Sequence, residues 1–97
     1  MTIVFEPAAR AELVEAARWY VVEAGRFYAT DFRNEVHRAL NLLCDHPAMG
    51  TPAKSNTRSM VVHRYPFPIV YRIDFDTLHV LAVAHQRRRP GYWVGRR

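Results

Sequence analysis

The sequence predicts an α/β domain of the α+β kind, in which an N-terminal edge strand leads into an antiparallel helical hairpin and then a three-stranded antiparallel meander packed on the helices. Three observations carry this. Apolar residues recur at helical spacing from residue 7 to residue 43, the period changes to two near Arg58, and Pro47, Gly50 and Pro52 punctuate the change. At 97 residues the chain has room for one domain, spanning 1–97, that buries about two-thirds of its unfolded surface around a single core.

Ile3, Val4 and Phe5 form a short apolar run that Pro7 must end, because proline supplies no ladder donor. They read as the edge strand. Pro7 also suits the first position of a helix, where its missing N–H costs nothing, although Glu6 is a poor N-cap. Leu13, Ala16, Ala17, Tyr20, Val21 and Ala24 then share one stripe until Gly25 stops the helix, which gives a span of 7 to 24. A second helix follows with Tyr28, Phe32, Val36, Ala39 and Leu43 on its inner stripe and Asp31, Asn34, Arg38 and Asn41 opposite. Ala53 to Thr57 is small and polar and reads as a mobile loop.

Beyond Arg58 the alternation of Met60, Val62 and Arg64 against Ser59, Val61 and His63 is that of a strand. Pro66 and Pro68 bracket a turn. Ile69, Tyr71, Ile73 and Phe75 next alternate with Val70, Arg72 and Asp74, giving one greasy face and one mixed face. Asp76 and Thr77 connect tightly to a run from Leu78 to His85 that is apolar at almost every position, as in a central strand or one covered on both sides.

Charge is distributed unevenly. The net +5 resides wholly in residues 85–97, which hold five arginines and no acid, whereas residues 1–84 hold nine bases and nine acids. Arginines collected beside Tyr92 and Trp93 make a landing place for phosphates or carboxylates, so the partner is expected to be anionic. The hydrophobic and charged fractions, 49% and 24%, are those of an ordered globule. Cys44 is the one cysteine, which excludes an intramolecular disulfide, and among Leu42, Leu43 and Pro47 it reads as a small core residue. His37, His46, His63 and His79 lack metal-ligand spacing, so neither metal nor cofactor is expected. No apolar run approaches the roughly 18 residues of a membrane span, and the expected compartment is the cytoplasm.

The order of landmarks resembles the RelE/ParE toxin superfamily of type II toxin–antitoxin, or plasmid-stabilisation, proteins. The resemblance covers nearly the whole chain. It runs through Glu12-Leu13 and Ala16, Trp19-Tyr20, Phe32, Ala39-Leu40, Pro47, Gly50 and Arg58, then Phe67-Pro68-Ile69-Val70-Tyr71-Arg72 and Val80-Leu81-Ala82-Val83-Ala84-His85. It implies a growth-arresting toxin that is neutralised, as a hetero-oligomer, by an antitoxin whose C-terminal segment packs into a groove between helices and sheet. Such proteins are either ribosome-dependent mRNA nucleases similar to RelE or gyrase-blocking proteins similar to ParE that do not cut nucleic acid. The nucleases carry lysines on the second strand and an arginine opening the third. Ser59, Val61 and Pro68 occupy those positions here, so the chain is closer to ParE and DNA gyrase is its expected target.

The nuclease alternative retains some residues. Cleavage of RNA by its own 2′-hydroxyl needs a base, cations for the crowded phosphate, and an acid for the leaving oxygen. Arg72, Arg87 and Arg88 would be the cations, His85 the base, and Tyr92 or a water the acid, with ribosome and mRNA as partners. A relative that has lost toxicity but keeps antitoxin binding is also consistent with the sequence. For partner binding the candidates are Trp19, Arg64, Arg72, Arg87, Arg88, Arg89, Tyr92 and Trp93. Trp19 shares a helix side with Glu12, Glu15 and Glu23, and Arg64 and Arg72 are expected to project from the sheet toward carboxylates of an acidic partner. Each has a plain reading too: the arginines are solvated, His85 caps a strand, Trp19 borders a wide buried stripe, and Tyr92 and Trp93 fold back over the sheet.

Overall fold

The first helix starts where proline geometry favours it. The computed structural model describes residues 1–96, and in it α1 (Pro7–Ala24) has Pro7 in its first turn and no side-chain cap from Glu6. Gly25 alone separates it from α2 (Arg26–Asp45), with φ of 96°, where an L side chain would be strained. The inner stripe of α2 is Ala29, Phe32, Val36, Ala39, Leu40 and Leu43, all buried. Fully burying Phe32 or Leu43 contributes about 2–3 kcal/mol each. Cys44 is partly buried and packs against the same core.

Around the α1–α2 turn, Val21, Ala24 and Tyr28, expected on inner stripes, are exposed, along with Val22 and Phe27. Helical periodicity continued beyond the surface available to cover it.

Five strands form one sheet in the order β1-β5-β4-β3-β2. They are β1 (Thr2–Phe5), β2 (Thr51–Ala53), β3 (Thr57–Val61), β4 (Pro68–Asp74) and β5 (Thr77–Val83). β1 is an edge strand as expected, and it runs parallel to β5, while the remaining pairs are antiparallel. Three readings need correction. The segment taken as a mobile loop supplies Ala53 to a short edge strand and Thr57, which is buried, to β3. Pro52 is tolerated because β2 is an edge. The alternation seen through Arg64 does not prolong β3, which ends at Val61, and Arg64 has left the strand with φ of 71°. Phe75 lies off the greasy face, fully exposed in the β4–β5 turn with φ of 52°.

Helices cover one face of the sheet, where Ile3, Phe5, Met60, Ile69, Tyr71, Ile73, Leu78, Val80 and Val83 pack on α1 and α2. An irregularity between Val70 and Tyr71 shifts the register so that Tyr71 pairs with Val80 and Val70 with Ala82. Leu81 is the extra residue of this bulge. Val70, Leu81, Ala82 and Ala84 are also buried, yet lie outside the cluster that the helices cover. The apolar run of β5 is thus explained by two covered faces and a bulge.

Gly50 is needed for space, not for its dihedral. Its N–H donates to the Tyr71 hydroxyl at 3.0 Å, and that hydroxyl donates to the carbonyl of Pro47 at 2.6 Å. Arg58 closes the same corner by donating to the carbonyls of Ala48 and Gly50. Tyr71→Phe should lower stability by about 1–3 kcal/mol, because it strands a buried donor and a part-buried acceptor. Gly50→Ala should cost at least as much, since its Cβ would stand 2.5 Å from the Tyr71 oxygen. Urea unfolding midpoints test both; wild-type midpoints would show that the corner relaxes freely.

Candidate functional site

Helical spacing alone places Glu12, Glu15, Ala16, Trp19 and Tyr20 on one side of α1, at i, i+3, i+4, i+7 and i+8. This side faces the end of β5. Between them lies a cleft of about 320 Å³, also lined by Pro66, Phe67, Val83, Ala84, His85 and Arg88. Its wall is apolar and aromatic: Tyr20 packs edge-on to Trp19 at 5.1 Å and against Phe32 at 5.2 Å. Trp19 forms the rim, 57% exposed. Burial raises the pKa of the Tyr20 hydroxyl. Acidic Glu15 and basic Arg88 flank the slot, so it fits an apolar side chain carried on a polar segment.

Beyond β5 the chain turns repeatedly and comes back to α1. Glu12, expected on an outer side of the helix, is instead the anchor of this tail. Its Oε1 accepts from the Val83 N–H at 3.1 Å and from Arg96 at 2.9 Å, and its Oε2 accepts from the Tyr92 hydroxyl at 2.5 Å and from Arg96 at 3.2 Å. Arg96 also donates to the Leu81 carbonyl. Tyr92 lies against two guanidiniums, with Arg88 4.1 Å and Arg96 5.0 Å from the ring centre. Its pKa is strongly raised, first by burial and then by donation to Glu12. The Arg96 guanidinium is held charged mainly by its bond to the same carboxylate.

The other candidates are dispersed. His85 stacks edge-on to Phe67 at 5.3 Å and its Nδ1 accepts from the Arg87 N–H. Arg87, Arg88 and Arg89 are exposed, and Trp93 is half-buried with its indole N–H enclosed and lacking an acceptor. Arg72 pairs in register with His79. Six further residues of extended chain put His85 about 20 Å away along the sheet, so Arg72 does not converge with His85. It lines a separate polar hollow with Arg58 and Asn56.

Arg64 does not project from the sheet. It donates to both oxygens of Asp31 and to Glu35, each at 2.9 Å, and thereby ties the β3–β4 connection to α2. The Asp31 charge raises its pKa. The Tyr65 hydroxyl donates to Asp31 as well, and burial first and that bond second push its pKa up to about 12. The sequence reading missed Glu12 as a site residue. Its partners are 71 to 84 positions away, and the one available signal was a basic tail in need of a carboxylate.

Two helices on a mixed sheet, an apolar cleft and a latched basic tail make up this small domain. The description of the ParE toxin of the type II toxin–antitoxin system parDE matches residues 3–90, and the chain belongs to that family. None of the curated proteins is a detectable relative in sequence. Among solved structures, the fold is similar to a chain of the chromosomal ParDE TA system from P. aeruginosa, with a TM-score of 0.77 at 20% identity, over 88% of this chain and 95% of that one. No helix among the described residues is long and apolar enough to cross a membrane, and no metal-binding cluster of His, Cys, Asp or Glu occurs among them.

The raised pKa of Tyr65 has a sign that can be tested. The folded state holds the phenolic proton more tightly than the unfolded chain, so the contribution is complete below pH 10 and is lost as pH rises through about 12. Thermal unfolding followed from pH 9 to 12 should show a smaller alkaline loss for Tyr65→Phe than for wild type. Equal losses would remove Tyr65 from the explanation.

Proposed function

We propose that this chain is the toxin of a toxin–antitoxin pair in the cytoplasm, that a cognate antitoxin neutralises it by occupying the cleft between α1 and β5, and that the free toxin inhibits DNA gyrase. The observation that carries the choice of a binding mechanism is the state of Tyr92. Its hydroxyl gives its hydrogen to Glu12 and has a strongly raised pKa, which makes it a poor proton donor to a leaving oxygen. Arg72 is remote from His85, and Ser59, Val61 and Pro68 supply no cation in the sheet. What remains is a surface suited to binding: the Trp19 rim, the apolar slot, and Arg87, Arg88 and Arg89.

One observation favours the second reading, a ribosome-dependent mRNA nuclease: His85 and Arg88 share the cleft, and Arg88 stacks on Tyr92. The two readings separate in a supercoiling assay. Purified protein should inhibit gyrase on relaxed plasmid in a dose-dependent manner or trap cleaved plasmid, and the product of the neighbouring antitoxin reading frame should relieve this. Full gyrase activity from a protein that still arrests growth would transfer the argument to mRNA. Removing residues 87–97 should raise the inhibitory concentration by at least about tenfold, as expected when several charge-assisted contacts are lost; undiminished inhibition would make the tail dispensable.

A further inference from the structure

Five arginines in thirteen residues repel one another, and the tail that carries them has little of its own to fix it. Its internal bonds are local turns: Arg88 N–H to His85, Tyr92 N–H to Arg89, Val94 N–H to Gly91, and Arg96 N–H to Trp93. Turns of this kind shape a segment without attaching it to the rest of the protein. Beyond Gln86 N–H to the Pro66 carbonyl and Arg96 to the Leu81 carbonyl, attachment comes from α1. Glu12 accepts from Tyr92 and Arg96, and Tyr92 in turn lies beneath the Arg88 guanidinium, which lines the cleft. A continuous path therefore runs from the Glu12 carboxylate through the Tyr92 ring to Arg88 at the cleft wall.

Glu12 does more than complete the sheet. One acceptor is enough for the Val83 N–H, and Oε1 supplies it. The second oxygen and the negative charge serve the tail alone. We infer that Glu12 is a positioning residue for target inhibition: its carboxylate fixes Tyr92 and Arg96, and so holds Arg87, Arg88 and Arg89 as an ordered basic ridge beside the Trp19 cleft. The inference rests on the proposed use of the tail against gyrase. An ordered ridge meets an anionic target surface with its entropy already lost, whereas a released tail has to be ordered on binding. If release lowers the competent population to about a tenth, apparent affinity falls about tenfold.

The substitution that separates the two roles of Glu12 is Glu12→Gln. The amide oxygen still accepts from Val83, but the amide nitrogen cannot accept from Tyr92 and no charge remains for Arg96. The experiment compares wild type, Glu12→Gln, Arg96→Ala, the double variant and the 87–97 deletion for gyrase inhibition. Tail order is read by amide exchange of Tyr92, Val94 and Arg96 and by Trp93 fluorescence in a Trp19→Phe background. Each single variant should raise the inhibitory concentration about tenfold and speed tail exchange, with wild-type exchange in β4 and β5. The double variant should be no worse than either single one, since both break one latch. Wild-type inhibition by Glu12→Gln with an exchanging tail, while the deletion is impaired, overturns the positioning role and leaves the gyrase reading intact. Unimpaired inhibition by the deletion overturns the use of the tail itself, and the inference with it.

Discussion

The constraint on which the structure depends is that β5, together with Val70 of β4, is apolar on both faces while the helical hairpin can cover only one. Val70, Leu81, Ala82 and Ala84 are buried outside the cluster shared with α1 and α2. The segment available to close that side is the tail, whose Gly91, Tyr92 and Trp93 are themselves half-buried and whose Arg96 reaches the Leu81 carbonyl. Five arginines would rather stay in water. Tying the tail to the protein takes a carboxylate, and the one that Arg96 and Tyr92 meet is Glu12, facing the β5 edge just where β1 has ended at Phe5. The sheet edge and the tail are thus joined at the same residue.

Two ion-paired joints divide the work. At the tail, Glu12 holds Tyr92 and Arg96. At the opposite side of the cleft wall, Asp31 and Glu35 of α2 hold Arg64 and, with it, the turn that delivers Phe67 and Tyr65 to the aromatic cluster of Tyr20 and Phe32. Glu35 is 4% exposed, and its Oε1 has no hydrogen-bond partner beyond a distant Arg38 at 3.9 Å. Such a buried carboxylate is tolerable only because Arg64 neutralises it, and the exchange selects one arrangement of the turn more than it adds stability. The cleft between these joints is accordingly a prearranged surface.

Much of the fold was legible because it is local. Proline at the start of α1, glycine between the helices, and a change of period from 3.6 to 2 are each consequences of neighbouring residues. The bounds 7 to 24 for the first helix follow from Pro7 and Gly25, and β1 follows from three apolar residues before a proline. The misreadings have one cause. Arg64, Phe75, Val21 and Tyr28 continue a periodic pattern beyond the point where an opposing surface exists, and a pattern carries no information about where its partner stops. β2 was hidden by Pro52, whose place on an edge is a property of the sheet.

The sequence by itself determined both helices, most of the strands, the uneven charge, and through its landmarks the toxin family. Only the tertiary structure decided the rest: that β1 lies parallel beside β5, that Arg64 is joined to α2, that Arg72 pairs in register with His79, and that Glu12 anchors the tail. Periodicity reports contacts made a few residues apart, because the backbone geometry fixes them. Contacts made across 80 residues depend on how the finished layers stack, and that is settled by packing the whole core at once.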